Sequence, residues 1–427
     1  MRMEIIRDPL WNNVRVDELT ISLIDTRAFQ RLRYIRQLGW AYLVYPGSTH
    51  TRFEHAIGTH HLARRALALL EEREALRGLA VDECAIIRAA ALLHDIGHYP
   101  FSHALEEMGA PHHEEVAKPL ITDGAVAGVL EQALGAGAPG RIYMLIRGES
   151  DSPLQGLISG PLDLDKIEYL KRDALMCGVP YGEIDVDRLL NSLVIVEDPE
   201  TGQPVTGIVE KGLSALESLL FAKYQMYRNV YWHHAVRSAT AMYKRLVEDA
   251  LGAGSLDVPT LSHHTDEGLL HRLETAAEAP PPLLHALRER RLYKRAFECP
   301  AAELDEGCGE WIAEDRALTT EAENALALEV GLQPGQLLLD FPAKTQMLGL
   351  DLPVLRRDGR VERLTEAGWE GAINLPKLSE QLYHSARWMR VFVARRTSIS
   401  RSKLLELMRL PAAAVRRRLD EGRALLT

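Results

Sequence analysis

The chain has 427 residues, 46% of them hydrophobic and 26% charged, a composition that is ordinary for a globular protein. Its formal net charge of −10 argues against a general nucleic-acid coat, and we do not expect a nucleic-acid partner. No run approaches the roughly 18 apolar residues of a spanning helix, and the N-terminus has no apolar leader, so we expect a cytoplasmic protein without a membrane partner.

Most of the chain up to residue 280 has the apolar spacing of helices. Residues 1–20 indicate irregular or strand-like structure, and a helix is predicted from about 20 to a stop at Gly39. The segments that follow are predicted as helices over 53–75 and 82–97, a Gly-rich loop over 133–141, a helix over 163–177, a hairpin over 192–209 and a long helix over about 211–251.

A composition shift near Ala279–Pro282 predicts a hinge before a smaller lobe. That lobe mixes a short strand at Gln336–Asp340, a hairpin turning at Asp358–Gly359 and a basic helical tail over 399–425. We therefore predict a mainly α protein with a helical core over 1–280, into which the hairpin is inserted, and a small α+β lobe over 281–427. The four cysteines follow no zinc spacing and are predicted to be free thiols.

The most informative stretch is the adjacent pair His94-Asp95 inside an apolar helix. Charged residues are rare in such a run unless they are paired or bind a metal. His55 upstream and Asp165 downstream supply a further imidazole and carboxylate, a set that suits Mn²⁺, Fe²⁺ or Mg²⁺ better than a closed zinc site. Neighbours on a helix point about 100° apart, so this pair can flank one ion only near a helix end, where Gly97 and Pro100 lie.

An alternative is that His94 is a satisfied core histidine and Asp95 an ion-paired carboxylate. The pair alone favours that reading, but the combined constellation favours a metal site. It consists of His55, His98, His103, His113 and Asp165. The sequence has neither a Walker-type phosphate loop nor a Gly-x-Ser-x-Gly elbow, so a P-loop NTPase and a serine hydrolase are unsupported.

Several motifs in order resemble the HD-domain deoxynucleoside triphosphate (dNTP) triphosphohydrolases, the bacterial relatives of the sterile-alpha-motif/HD-domain enzymes, without the sterile-alpha-motif domain. The resemblance covers most of residues 1–250 and is weaker beyond about 300. The matching motifs are Ile24–Gly39, Arg52–His55, His94–His103, Asp163–Asp173 and Tyr231–His233. The resemblance implies an HD-domain helical phosphohydrolase core and a homotetramer.

By this resemblance, His55, His94, Asp95 and Asp165 match metal ligands. The positions that match groups proposed to act on the attacking water and leaving group are His103, Glu106, His113 and Glu114, where Glu106 replaces an aspartate. His98, Arg52 and Lys166 match phosphate contacts, which suits the guanidinium and ammonium groups.

The resemblance also implies a sugar pocket. Gln37, Tyr169 and Asp173 match positions that hold a deoxyribose 3′-hydroxyl, and Tyr231 matches an aromatic that excludes ribonucleotides. Leu38 is a loose apolar contact for the base. Taken alone, Tyr231 is better explained as a core aromatic.

A regulatory match concerns Asp25, Gln30 and Arg33, which fall where family members bind a guanine base between subunits. Arg290 and Lys294 would add phosphate contacts, whereas Glu4 stands where a basic residue is expected. The alternative is a solvated helix face with local ion pairs.

We therefore predict a metal-dependent enzyme that cleaves a dNTP to deoxynucleoside and inorganic triphosphate, activated by GTP or a dNTP. The alternatives are an HD phosphohydrolase acting on a nucleoside monophosphate, cyclic nucleotide or alarmone, and a nucleotide-sensing or nucleic-acid-binding module. Steep salt dependence of single-strand binding would favour the last.

Overall fold

A computed structural model describes residues 3–276, 279–343, 351–364 and 374–426. These residues are mainly helical, which confirms the predicted fold class. Their α-helices are α1 (Glu18–Ile24), α2 (Arg27–Gln30), α3 (Arg52–Glu72), α4 (Glu83–Leu93), α5 (His113–Thr122), α6 (Gly124–Leu134), α7 (Ala138–Arg147), α8 (Leu164–Cys177), α9 (Val186–Ser192), α10 (Leu213–Met226), α11 (His234–Gly252), α12 (Val258–Leu261), α13 (Asp266–Thr275), α14 (Pro282–Arg288), α15 (Trp311–Glu314), α16 (Arg316–Glu329), α17 (Leu375–Ala386), α18 (Arg401–Met408) and α19 (Ala412–Asp420).

The strands of the described residues form three small sheets. They are β1 (Met3–Asp8), β2 (Asn12–Asp17), β3 (Leu193–Glu197), β4 (Pro204–Val209), β5 (Lys294–Pro300), β6 (Leu337–Asp340), β7 (Pro353–Leu355), β8 (Val361–Arg363) and β9 (Trp388–Val393). The sheet orders are β1-β2, β3-β4-β7-β8 and β5-β9-β6, and every pair is antiparallel except β4 with β7.

The predicted hairpins are confirmed. The hairpin over 192–209 is β3-β4, and the turn at Asp358–Gly359 joins β7 to β8. Gly359 has φ 88°, a left-handed conformation that suits glycine in such a turn. The strand-like N-terminus is the hairpin β1-β2, whose two preceding residues, Met1 and Arg2, lie outside the described part of the chain.

The central helices are α3, α4 and α8. A capping box begins α3, in which the backbone N–H of Thr51 donates to Glu54 Oε2 at 2.7 Å. Asp163 caps α8 by accepting from the backbone N–H of Lys166 at 2.9 Å, and Gly178 ends it in the left-handed conformation, as predicted. Because α3 packs against both α4 and α8, their inward side chains meet in one place.

Two long predicted helices are wrong because polar or aromatic groups interrupt them. Between 20 and 39, Thr26 is extended, and its hydroxyl donates to Leu23 O at 2.7 Å while capping α2. Between 211 and 251, a π-turn over Tyr227–Tyr231 separates α10 from α11, and Trp232 N bonds Tyr227 O at 2.8 Å.

Two predicted boundaries also differ from the structure. α4 ends at Leu93 rather than at residue 97. The predicted loop over 133–141 contains the start of α7, where Pro139 lies in the first turn at a position whose N–H would have no partner within the helix. The cysteines of the described residues are free, as predicted. No helix formed by those residues is both long and apolar enough to cross a membrane.

The described residues bury three apolar clusters. Two of them join parts of the chain on both sides of residue 280. One contains Ile208 together with Val354. The other contains Trp40 and Leu246 together with Phe392. The division at 280 remains a prediction, and the elements on either side of it pack against each other.

Candidate functional site

The four predicted metal ligands come together from three parts of the fold. His55 lies in the first turn of α3, His94 and Asp95 follow the last residue of α4, and Asp165 lies in the first turn of α8. His55 Nε2 is 3.1 Å from His94 Nε2 and 2.9 Å from Asp165 Oδ1. Asp95 oxygens lie 3.5 Å from each of the two Nε2 atoms. The pair His94-Asp95 therefore stands at a helix end, as its geometry required.

These distances fit one shared cation. With bonds of about 2.1 Å, neighbouring ligands of one ion are about 3.0 Å apart in octahedral geometry and about 3.4 Å in tetrahedral geometry. The Nε2 atoms of His55 and His94 face each other at 3.1 Å. Two neutral imidazoles can place at most one proton between such atoms. The donor set fits a divalent cation.

The charge around His55 points the same way. Burial lowers its pKa, but hydrogen bonds to Asp165 and Glu168 outweigh burial and raise the pKa of His55 to about 10. Asp165 shows the reverse: burial opposes ionisation, yet the contacts with His55 and His94 hold its pKa well below the usual value. The carboxylates around these two imidazoles thus stabilise positive charge at this place.

A second cluster of histidines lies beside the first. His98 Nε2 is 3.0 Å from Asp95 Oδ1, and the ring of His98 stacks on that of His113 at 3.8 Å between centroids. Glu106 contacts His103 Nδ1 at 3.2 Å and His113 Nδ1 at 3.0 Å. Although burial opposes it, these hydrogen bonds hold the pKa of Glu106 far below its usual value. Glu106 therefore stays a carboxylate that can orient a proton-carrying imidazole.

His103 is the exposed member of this cluster, with 58% of its side chain accessible. Glu114, also predicted to be catalytic, turns instead toward Arg147, whose Nη1 is 3.4 Å from Glu114 Oε2. Its other neighbour is His112, at 3.8 Å.

Three cations line the same region. Arg52 is buried and donates to Asp95 at 2.7 Å and to Ser102 at 3.1 Å. Lys166 pairs with Asp163 and donates to Gly160 O at 2.9 Å. Lys223 of α10 is buried, and burial together with the charge of Lys166 lowers its pKa to about 7. The described residues offer Lys223 no hydrogen bond or ion pair.

The predicted sugar-binding residues are linked to one another. Asp173 accepts from the Tyr231 hydroxyl at 2.7 Å and contacts His50 Nε2 at 2.7 Å. His50 O accepts from the backbone N–H of Gln37 at 3.0 Å, and the buried Oε1 of Gln37 has no partner among the described residues. Burial raises the pKa of Tyr169 and Tyr231, so both phenols stay protonated. Leu38, beside Gln37, is half-buried.

The residues predicted for an allosteric site lie at the surface. Arg33 donates to Gln30 Oε1 at 2.8 Å and stacks over Phe53 at 3.5 Å, while Asp25 is exposed. Arg290 donates to Leu43 O at 2.7 Å, and Lys294 begins β5. Across the described ranges, no hydrogen bond or ion pair connects these two groups.

Sequence reasoning missed three residues of this region: His50, Glu168 and Lys223. Glu168 follows Asp165 at a helical spacing of three, which is the signal that would have placed both on one face of α8. Lys223 and His50 had no such signal, because their role depends on contacts distant in sequence.

Known proteins and protein families match much of this chain. Residues 52–132 match the family model of the HD domain, and residues 184–368 match the model of the HD-associated region. An uncharacterised protein of Methanocaldococcus jannaschii is 36% identical over 293 residues, which are 68% of this chain and 59% of the relative. A crystal structure of a hypothetical protein from Aquifex aeolicus is similar with a TM-score of 0.71 and 26% identity, and covers 100% of both chains.

The chain therefore belongs to the HD-domain proteins and carries the HD-associated region. Among its relatives is a protein from Gallus gallus named deoxynucleoside triphosphate triphosphohydrolase SAMHD1, 34% identical over 173 residues, or 38% of this chain and 26% of the relative. A SAMHD1 homologue of Dictyostelium discoideum, which bears the same name, is 27% identical over 313 residues. The matched region is between 56% and 59% of the length of the first four relatives.

Proposed function

We propose that the protein hydrolyses a dNTP to deoxynucleoside and inorganic triphosphate. The observation that carries this proposal is the order of groups along α8: Asp165 for the metal, Lys166 for phosphate, then Tyr169 and Asp173 for the sugar. Residues four apart share a helix face, so Asp165, Tyr169 and Asp173 follow one line. The relatives named as dNTP triphosphohydrolases support the same substrate.

In this reaction water attacks the α-phosphorus, the bond to the 5′-oxygen breaks, and the leaving oxygen takes a proton. A bound divalent cation, Mn²⁺, Fe²⁺ or Mg²⁺, would supply Lewis-acid stabilisation of phosphoryl charge. Arg52, His98 and Lys166 supply positive charge or N–H donors to the phosphates, and Lys223 joins them. His103 is held by Glu106, which also contacts His113, and it supplies the proton for the 5′-oxygen.

The proposed selectivity for deoxyribose comes from the linked residues Gln37, Asp173 and Tyr231. Asp173, beside His50, accepts a hydrogen bond from the 3′-hydroxyl. The Tyr231 ring occupies the space that a 2′-hydroxyl would need. Leu38 would contact the base without selecting it strongly, since an apolar contact discriminates poorly.

We further propose that Asp25, Gln30 and Arg33 bind a guanine nucleotide or dNTP effector in a homotetramer. Asp25 can accept from guanine N–H groups, and Arg33 can donate to the guanine carbonyl or N7. Arg290 and Lys294 are proposed to contact the effector phosphates from a neighbouring copy, since the described residues of one chain do not bring them into contact with the base-binding set.

One chromatographic assay tests the reaction. The full chain with Mn²⁺ or Mg²⁺ is incubated with each of the four dNTPs, singly, mixed, and with GTP. Deoxynucleoside plus triphosphate is expected, and a requirement for GTP or for the mixture would support the effector site.

His94→Ala removes a metal ligand and should abolish both turnover and metal binding. His285→Ala, at an exposed position, should leave both unchanged. Full turnover by His94→Ala would contradict the metal assignment. Absence of product from every dNTP would contradict the substrate, and nucleoside monophosphates and alarmones would be assayed next.

A further inference from the structure

The imidazole of His55 has a fixed partner on the side away from the metal ligands. Its Nδ1 is 2.7 Å from Glu168 Oε2, while its Nε2 faces His94 and Asp165. Because a carboxylate only accepts, Nδ1 donates its proton to Glu168, and Nε2 is the nitrogen that would bind the cation in place of a proton. Glu168 therefore fixes both the tautomer and the ring orientation of a metal ligand.

Glu168 is itself held by two donors. Its Oε1 accepts from Arg172 Nε at 2.8 Å and from the indole N–H of Trp11 at 2.9 Å. Arg172 Nη1 in turn lies 3.0 Å from Asp8 Oδ2. Asp8 and Trp11 belong to the tip of the hairpin β1-β2, more than 150 residues from Glu168 in sequence.

The hairpin tip is built to present these two side chains. Asp8 Oδ1 accepts the backbone N–H groups of Leu10 at 2.9 Å and Trp11 at 2.7 Å, so the same carboxylate shapes the turn and meets Arg172. Asn12 completes the turn with φ 60°, a conformation that asparagine tolerates.

Because this network is buried, its residues depend on one another for hydrogen-bond and ion-pair partners. Asp8 is 7% exposed, and His55, Glu168 and Arg172 are 0% exposed, so water is not available to replace a lost contact. Gly58 of α3 leaves space for the Glu168 carboxylate, because a Cβ at Gly58 would lie 1.9 Å from Glu168 Oε1.

We propose that Asp8 and Trp11 are positioning residues of the metal centre. Through Arg172 and Glu168, the tip of the N-terminal hairpin holds His55 in its ligating orientation and so sets the affinity for the divalent cation. This inference rests on the metal assignment of the proposed function but not on its substrate.

The test measures Mn²⁺ binding to metal-stripped full-length protein, with free Mn²⁺ followed by electron paramagnetic resonance and no nucleotide present. Trp11→Phe removes the indole donor and keeps a ring, and Asp8→Asn removes the charge and keeps the shape. We expect each variant to raise the Kd for Mn²⁺ about 3- to 10-fold and Glu168→Gln to raise it at least about 10-fold, since partners of metal ligands typically contribute 10- to 100-fold.

Two matched controls should retain the wild-type Kd. Trp311→Phe removes an indole N–H that has no partner among the described residues. Asp198→Asn changes another aspartate that accepts a backbone N–H in a hairpin turn, here from Glu200 at 2.8 Å, and that pairs with an arginine, Arg363.

A Kd within twofold of wild type for both Trp11→Phe and Asp8→Asn would overturn the proposal. The rise in Tm caused by saturating Mn²⁺ is measured alongside, because it reports the affinity of the folded protein. A variant that loses stability but keeps the full Mn²⁺-induced rise in Tm also contradicts the proposal.

If wild type binds no Mn²⁺, the metal assignment itself fails, and this inference fails with it. If wild type binds Mn²⁺ but cleaves no dNTP, only the substrate proposal fails.

Discussion

His50 illustrates how one side chain organises a pocket built from distant segments. Its carbonyl accepts from Gln37 N at 3.0 Å and its Nε2 contacts Asp173 at 2.7 Å. The His50 and Asp173 side chains are each 1% exposed, so the aspartate would have no solvent partner without this contact.

Replacing His50 by alanine is expected to raise the KM for dNTP roughly 10-fold, because a hydrogen bond to a charged group contributes about 1.5–3 kcal/mol. Steady-state kinetics on one dNTP measures this, with Mn²⁺ affinity as a second readout that should stay unchanged. The control is His384→Ala, at a position whose side chain is 43% accessible. An unchanged KM with lowered Mn²⁺ affinity would assign His50 to the metal centre instead.

Residues whose neighbours are close in sequence were the easier ones to predict. His94-Asp95 in an apolar run indicated a metal site, and the fold brings both residues together with His55 and Asp165. Lys223 gave no comparable signal, because an ordinary lysine in an amphipathic helix gains its low pKa only from burial next to Lys166. Arg172 likewise meets Asp8 only after folding.

At the scale of elements, the docking of α5 depends on the turn after α4. Gly97 lies in that turn, and a Cβ there would be 2.1 Å from His113 O and 2.6 Å from Ala117 N. Both atoms are backbone atoms of α5, so no side-chain rotation relieves the clash.

Gly97→Ala is therefore expected to lower the free energy of unfolding by about 1–3 kcal/mol, the usual effect of overpacking a core. It should also disturb the contact between His113 and Glu106. Urea unfolding measures the first effect. Gly128→Ala is the matched control: nothing lies within 4 Å of its added Cβ, and alanine in this helix should stabilise by up to about 1 kcal/mol. Equal effects of the two variants would refute the steric argument.

Predicted elements were most accurate where a strong local signal marked their ends. Gly178 ended α8 and Gly359 marked the turn between β7 and β8. The breaks at Thr26 and at Tyr227–Tyr231 were missed because apolar spacing continues through them. There the side chain of Thr26 and a cluster of aromatic rings decide the backbone, and helical periodicity does not report either.

At the scale of the whole molecule, a buried ion network crosses the predicted boundary at 280. Arg237 of α11 contacts Asp340 of β6 at 2.6 Å and Glu107 at 2.9 Å, and Lys244 also donates to Glu107 at 2.8 Å. Asp340 is fully buried, so it pairs with Arg237 where water cannot replace that partner.

Arg237→Met is expected to lower the free energy of unfolding by about 3–5 kcal/mol, since it removes the ion-pair partner of the buried Asp340. Arg77→Gln, which breaks an exposed pair with Glu74, should change it by less than about 1 kcal/mol. Urea unfolding followed by circular dichroism and tryptophan fluorescence checks both. Coincident transitions would show that the two predicted lobes unfold together, whereas two separate transitions, with Arg237→Met shifting neither, would contradict this prediction.

The two strands of the parallel pair β4 and β7 are synthesised at different times. β7 begins at Pro353, about 140 residues after β4 ends at Val209. At a synthesis rate of about 5–20 residues per second, the hairpin β3-β4 leaves the ribosome roughly 7 to 30 s before its partner strand. During that interval the outer edge of β4 carries unpaired backbone groups able to join a strand of another nascent chain. Synthesis rate and chaperone supply would therefore govern the yield of this protein.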